Sequence, residues 1–142
     1  MIPLETAYQN DYIKVEANLE YSYIKVTWLQ KPNSETFRKE TLQYTHYAIK
    51  NDLNNFLFDV RARTSLKEID QDWLVREVFP LFKTKSIRFA YLVSLEDFDI
   101  MDTYQIHDHI LTNPKYQKHV AGMIFLNEEE AQNWLLEIGL YL

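Results

Sequence analysis

Two short runs constrain the fold more than anything else in the chain. Phe56-Leu57-Phe58-Asp59-Val60 and Ser86 to Val93 (SIRFAYLV) are almost continuously apolar. A strand wet on one face alternates apolar with polar residues, so near-continuous apolar runs read as strands covered on both faces, the pattern of parallel strands inside an α/β sheet. Each is followed by helical sequence. Repeated strand-helix alternation demands right-handed crossovers and a largely parallel sheet.

The flanking segments complete the sheet. From Tyr12 to Glu16 and from Tyr21 to Leu29, Ile13, Val15, Ile24, Val26 and Trp28 alternate with polar or amphipathic residues, as half-buried strands do. The short connection at Asn18 to Glu20 makes them an antiparallel hairpin, and Leu4 to Tyr8 is an additional edge strand. Lys31-Pro32-Asn33-Ser34 breaks the alternation, and Ser34 with Glu35 in the first turn predicts a helix to about Asn51 whose apolar face holds Phe37, Thr41, Tyr44 and Ala48. Asp70-Gln71-Asp72 supplies capping acids before Trp73, Leu74 and Val75, the start of a helix that ends or kinks at Pro80. Another helix is predicted from about Phe98 to Leu111, stopped by Asn113-Pro114. A last strand, Gly122 to Leu126, leads to Asn127 as N-cap and to Glu128, Glu129 and Glu130, where the helix dipole favours acids. The expectation is α/β: one domain over residues 1–142, with a mixed, mostly parallel sheet, an N-terminal antiparallel hairpin and about four helices.

Composition narrows the function classes. At 142 residues the chain can bury roughly two thirds of its unfolded surface in one core. A net charge of −6 argues against nucleic acid as the main partner. With no cysteine, thiolate nucleophiles and Cys-ligated metals are excluded, and two glycines, Gly122 and Gly139, cannot form a phosphate-cradling loop. MIPLETAYQN shows neither a basic start nor an apolar stretch, and no apolar run approaches the roughly 20 residues of a membrane span. A cytoplasmic protein without a membrane span is expected.

The candidate site is the rim after the central strand. Asp59, Asp70 and Asp72 group with Arg61 and Arg63: if the chain stays extended past Val60, the two arginines lie on one side and the capping acids Asp70 and Asp72 sit across the crevice mouth, with Ser65 in the loop and Trp73 at the helix start. Such a rim suits a protein partner or a small apolar or anionic ligand. Alternatively, Asp59 or Asp70 serves as the general base of a small hydrolase or lyase-type enzyme, with Arg61 or Arg63 steadying an anionic substrate. A third possibility is a structural homodimer through a Tyr-rich hairpin edge from Tyr8 to Tyr23. No metal or cofactor is expected. His107 and His109 stand about 200° apart on a helix, unlike the i, i+4 pair that shares a zinc ion. Ser65 lacks a nearby histidine and a GxSxG elbow. A receiver domain fails for want of an acid pair and a lysine at the neighbouring strand ends.

The order hairpin, helix, FLFDVR, loop, EIDQDWLVREVFP, SIRFAYLV and a final strand before NEEEAQNWL resembles the STAS/SEC14-type domains related to the anti-sigma factor antagonist SpoIIAA, in particular SpoIIAA-like proteins of uncharacterised role. The likeness runs from about Tyr12 to Leu136 and rests on Asp59, Trp73, Pro80 and Ala131-Trp134-Leu135. It implies a regulatory binding module with a switch loop at the start of the helix after the central strand, and SEC14-like pockets imply a small ligand beneath. In phosphorylatable members that loop carries Asp, then the acceptor Ser, then Gly; here Ile69-Asp70 matches the lead-in, but Asp72 replaces the serine and Trp73 the glycine. A fixed carboxylate would imitate part of the charge of a phosphoserine.

Overall fold

In the computed structural model, which describes residues 1–63, 66–83, 85–96 and 120–137, the sheet has six strands in sequential order. β1 (Glu5–Gln9), β2 (Ile13–Asn18) and β3 (Tyr23–Trp28) pair antiparallel; β4 (Asn55–Asp59), β5 (Ile87–Leu92) and β6 (Val120–Phe125) extend the sheet from β3 in parallel. Ile13, Val15 and Ala17 are buried and face Trp28, Val26 and Ile24 across the hairpin, as the alternation predicts. The register shifts between Thr6 and Tyr8, so β1 carries a bulge at the sheet edge, a common device for blunting an edge strand.

The two apolar runs behave as read. Phe56 and Phe58 of β4 and Phe89 and Tyr91 of β5 join the larger core under α1 (Ser34–Lys50) and the segment after β4. Leu57, Ala90 and Leu92 face the opposite way and pack with Ala131 and Leu135 of α3 (Glu128–Leu136). Both faces are covered, which is why neither strand alternates.

The helix ends explain themselves locally. Asn33, rather than Ser34, caps α1: its Oδ1 accepts from the Thr36 amide at 2.8 Å. Asn127 caps α3 as expected, accepting from the Glu130 amide at 3.0 Å. At the other end of α3 the Arg88 guanidinium stacks on Trp134 at 4.2 Å and donates to the Trp134 carbonyl at 2.6 Å, joining the Glu137 amide there.

The segment after β4 corrects the sequence reading. Asp70 and Asp72 do not cap a helix at Trp73. The helix α2 (Glu68–Trp73) begins earlier, with Lys67 at the N-cap position and no side-chain cap, so both acids lie inside it. It then widens into a π-helix, Leu74–Val78, and tightens into a 3-10 helix, Phe79–Phe82, with Pro80 in its first turn. Pro80 has no N–H and crowds the carbonyl four residues back, so the α ladder cannot continue through it. The helix predicted from Phe98 to Leu111, with His107 and His109, lies outside the described residues.

Candidate functional site

The carboxyl ends of β3 and β4 lie side by side, and each strand leads directly into a helix. Leu29–Asn33 carries the chain from β3 to α1, and Val60–Lys67 carries it from β4 to α2. Two helix starts therefore converge over one sheet end, the place where open α/β sheets hold ligands. Between them lies an outer hollow of about 30 Å³ whose wall includes Lys31, Ser34, Lys67 and Asp70. Further in, between the sheet and the π and 3-10 turns, is a second cavity of about 30 Å³ walled by Tyr44, Phe56, Phe58, Phe79, Phe89 and Tyr91. Phe37 and Arg63 line both. The mouth is basic and the interior aromatic.

Phe37 is positioned by three neighbours. It stacks on Trp28 at 5.6 Å, meets Trp73 edge-on at 6.1 Å and carries the Arg63 guanidinium 5.8 Å above its ring. Such aromatic and cation–π contacts add directional preference to simple burial. Arg63 is 4 % exposed, so its charge sits at the divide between the two cavities and not in bulk water.

Asp70 ties the two helices together. Its buried carboxylate accepts from Ser34 Oγ at 2.7 Å and from Arg38 Nε at 3.1 Å, and Arg38 also covers Trp73 at 5.3 Å. Trp73 thus becomes part of the wall between α1 and α2. Asp72, on the same helix, points to solvent.

The single charge cluster expected from the sequence is two clusters. Asp59 follows Phe58 and so projects to the other side of β4, the side of Leu57 and α3. There it holds Arg61 in a two-pronged pair, Nε to Oδ1 at 2.9 Å and Nη2 to Oδ2 at 2.7 Å. Asp59, first by its hydrogen bonds, raises the Arg61 pKa, with Glu128 at the start of α3 adding in the same sense. The arginines separate because the chain does not stay extended: the Arg63 amide bonds back to the Val60 carbonyl at 3.2 Å, and the turn sends Arg63 to the α1 side. Ser65 lies outside the described residues. Both acids proposed as general bases are buried and already accept hydrogen bonds from cationic partners.

The tyrosines of the hairpin also differ from expectation. Tyr23 is fully buried, Tyr12 packs against the core and Tyr8 turns onto Tyr47 at 6.3 Å, leaving Tyr21 exposed. Tyr8 and Tyr12 are half-buried, so Tyr21 is the one of the four that stands at the surface.

Burial pushes the Tyr44 phenol up to about 12, against the lowering effects of the Thr41 hydroxyl beside it and of the Arg63 charge. A phenol harder to ionise in the folded chain than in the unfolded one stabilises the fold below pH 10. That contribution falls as pH rises from about 10 to 12. Alkaline titration followed by phenolate absorbance should show a late group that ionises with loss of near-ultraviolet dichroism. Ionisation of every tyrosine near pH 10 with the fold intact would contradict the buried placement.

From sequence, Lys31, Ser34 and Phe37 have only a place at the start of α1, and Arg38 and Lys67 none, so none of the five is read as a site residue. The signal was available: Trp28 to Ser34 is also a strand end leading into a capped helix. Among the described residues no group of three His, Asp or Glu is placed to hold a metal ion, and no helix is long and apolar enough to cross a membrane. No family model, curated protein or solved structure matches the chain.

Proposed function

We propose that the chain is a non-enzymatic binding and regulatory module, cytoplasmic and of SpoIIAA-like type, that takes a small ligand with an anionic group and an apolar body between α1 and α2. The carrying observation is that a lysine-lined hollow and an aromatic cavity share Phe37 and Arg63. A carboxylate or similar anion at the mouth would meet Lys31 and Lys67, while its apolar part reaches past Phe37 into the aromatic cavity. Charge-assisted contacts hold the head, and area removed from water holds the tail. The hairpin followed by parallel strand-helix units supports the STAS-type reading, since that is the order the resemblance implies.

The burial of Asp59 and Asp70 and their pairing with arginines favour binding over the general-base alternative, because a base must offer an accessible lone pair to its substrate. Burial of Tyr23 and the packing of Tyr8 and Tyr12 against the core weigh against a Tyr-edge homodimer.

The test is a pair of probes matched in shape. Tryptophan emission should report saturable binding of 4-phenylbutyrate, with 4-phenylbutanol at least about tenfold weaker, equivalent to about 1.4 kcal/mol for the missing charge. Equal affinity for the two, or binding of neither, would overturn the ligand class.

A further inference from the structure

We propose that Lys67–Phe82 is a strap across the aromatic cavity, latched to α1 by the Asp70 carboxylate, and that release of this latch opens the cavity to the lysine-lined mouth. The inference rests on the ligand reading above and names how that site is controlled.

The small volume of the cavity shows the need. About 30 Å³ is room for little more than one water, whereas a benzene-sized guest needs on the order of 150 Å³. An aromatic or branched ligand enters only if a wall moves. The sheet wall, Phe56, Phe58, Phe89 and Tyr91, belongs to two central strands paired on both sides. The α1 wall belongs to a 17-residue helix capped by Asn33 at its start and closed at its end by Asn51, whose Nδ2 donates to the Tyr47 carbonyl at 2.8 Å.

The remaining wall is built differently. Leu74, Val78, Phe79 and Phe82 reach the cavity from a segment that changes helical pitch twice within 15 residues, Glu68 to Phe82, and starts without a side-chain cap. It ends at Lys83 in a positive-φ conformation, φ 56°, unfavourable for a side chain other than glycine. Short turns of mixed pitch contribute little cooperative stability of their own, so such a segment is held by its side-chain contacts and opens locally.

Polar contacts to α1 converge on Asp70. Ser34 and Arg38 both donate to it, one oxygen each, and Arg38 extends the clamp over Trp73. The Gln71 amide, donating to the Leu66 carbonyl at 3.0 Å, is local to the strap side and travels with it. Asp70 therefore joins the least regular wall to one of the firmest, directly beside the mouth. An anion arriving at Lys31 and Lys67 would also compete for the Arg38 guanidinium, loosening the latch as it binds.

Hydrogen exchange by mass spectrometry on the full chain without ligand tests this. In Asp70→Asn, amides of 67–82 should exchange about tenfold faster, the equivalent of losing one charge-assisted hydrogen bond, while β4 and β5 keep their protection. Ser34→Ala, which leaves the Arg38 pair in place, should give a smaller change in the same segment and decides the matter if Asp70→Asn does not fold. Unchanged exchange in 67–82, or equal acceleration in strap and strands, would overturn the latch. Because no ligand is present, that failure would leave the binding reading standing, and failure of 4-phenylbutyrate to bind would leave the latch standing.

Discussion

Phe37→Ala is expected to lower the unfolding free energy by about 3–5 kcal/mol and yet to strengthen binding of an aromatic acid. The stability loss follows from removing a ring that is 1 % exposed and wedged among Trp28, Trp73 and Arg63. Domains of this size are stable by only about 5–15 kcal/mol, so the urea midpoint should move visibly. The gain in binding follows from position: Phe37 is the apolar partition between mouth and inner cavity, and its removal joins them. Leu53→Ala is the control. It truncates an equally buried side chain of the same core that lines neither cavity, so it should cost about 2–5 kcal/mol without improving affinity for 4-phenylbutyrate. Parallel losses of stability and of binding in the two variants would show that Phe37 is simply core.

Reversing both mouth charges, Lys31→Glu with Lys67→Glu, is the second large effect. The two lysines are exposed, so their attraction for a ligand anion is partly screened, and each is worth about 1 kcal/mol or less. Replacing two attractions with two repulsions should weaken 4-phenylbutyrate at least tenfold, with the difference shrinking as salt rises toward 1 M. Stability should barely change, since surface substitutions of this kind fall within about 0.5 kcal/mol. An affinity that ignores both charges would place the anion elsewhere, and loss of stability would mean that the lysines are structural.

Much of the fold was legible because it depends on patterns with a period. Alternation marked β2 and β3, unbroken apolar runs marked β4 and β5, and an asparagine before three glutamates marked α3. The sequence was less informative where a residue's partner is distant in the chain. Asp70 reads as a cap when only its neighbours are visible, but 32 residues away Arg38 offers a charge and Ser34 a hydroxyl, and the helix start moves to Lys67. Arg61 and Arg63 are two residues apart, and an extended chain would have kept them together; one turn hydrogen bond, Arg63 to Val60, sends them to opposite faces of the sheet. The residues read as one rim at the end of β4 thus lie in two groups. Asp59 and Arg61 pair near α3, whereas Arg63, Asp70 and Trp73 lie on the α1 side with Lys31, Phe37, Arg38 and Lys67.

The most direct measurement is intermolecular NOE spectroscopy of the labelled protein with unlabelled 4-phenylbutyrate. Cross-peaks from the phenyl protons to Phe58, Phe79 and Phe89, with the carboxylate end near Lys31 and Lys67, are the predicted result. Contacts confined to the groove at Tyr21 and Arg88, or to the hollow beside Leu19 and Tyr47, would contradict a ligand cleft between α1 and α2.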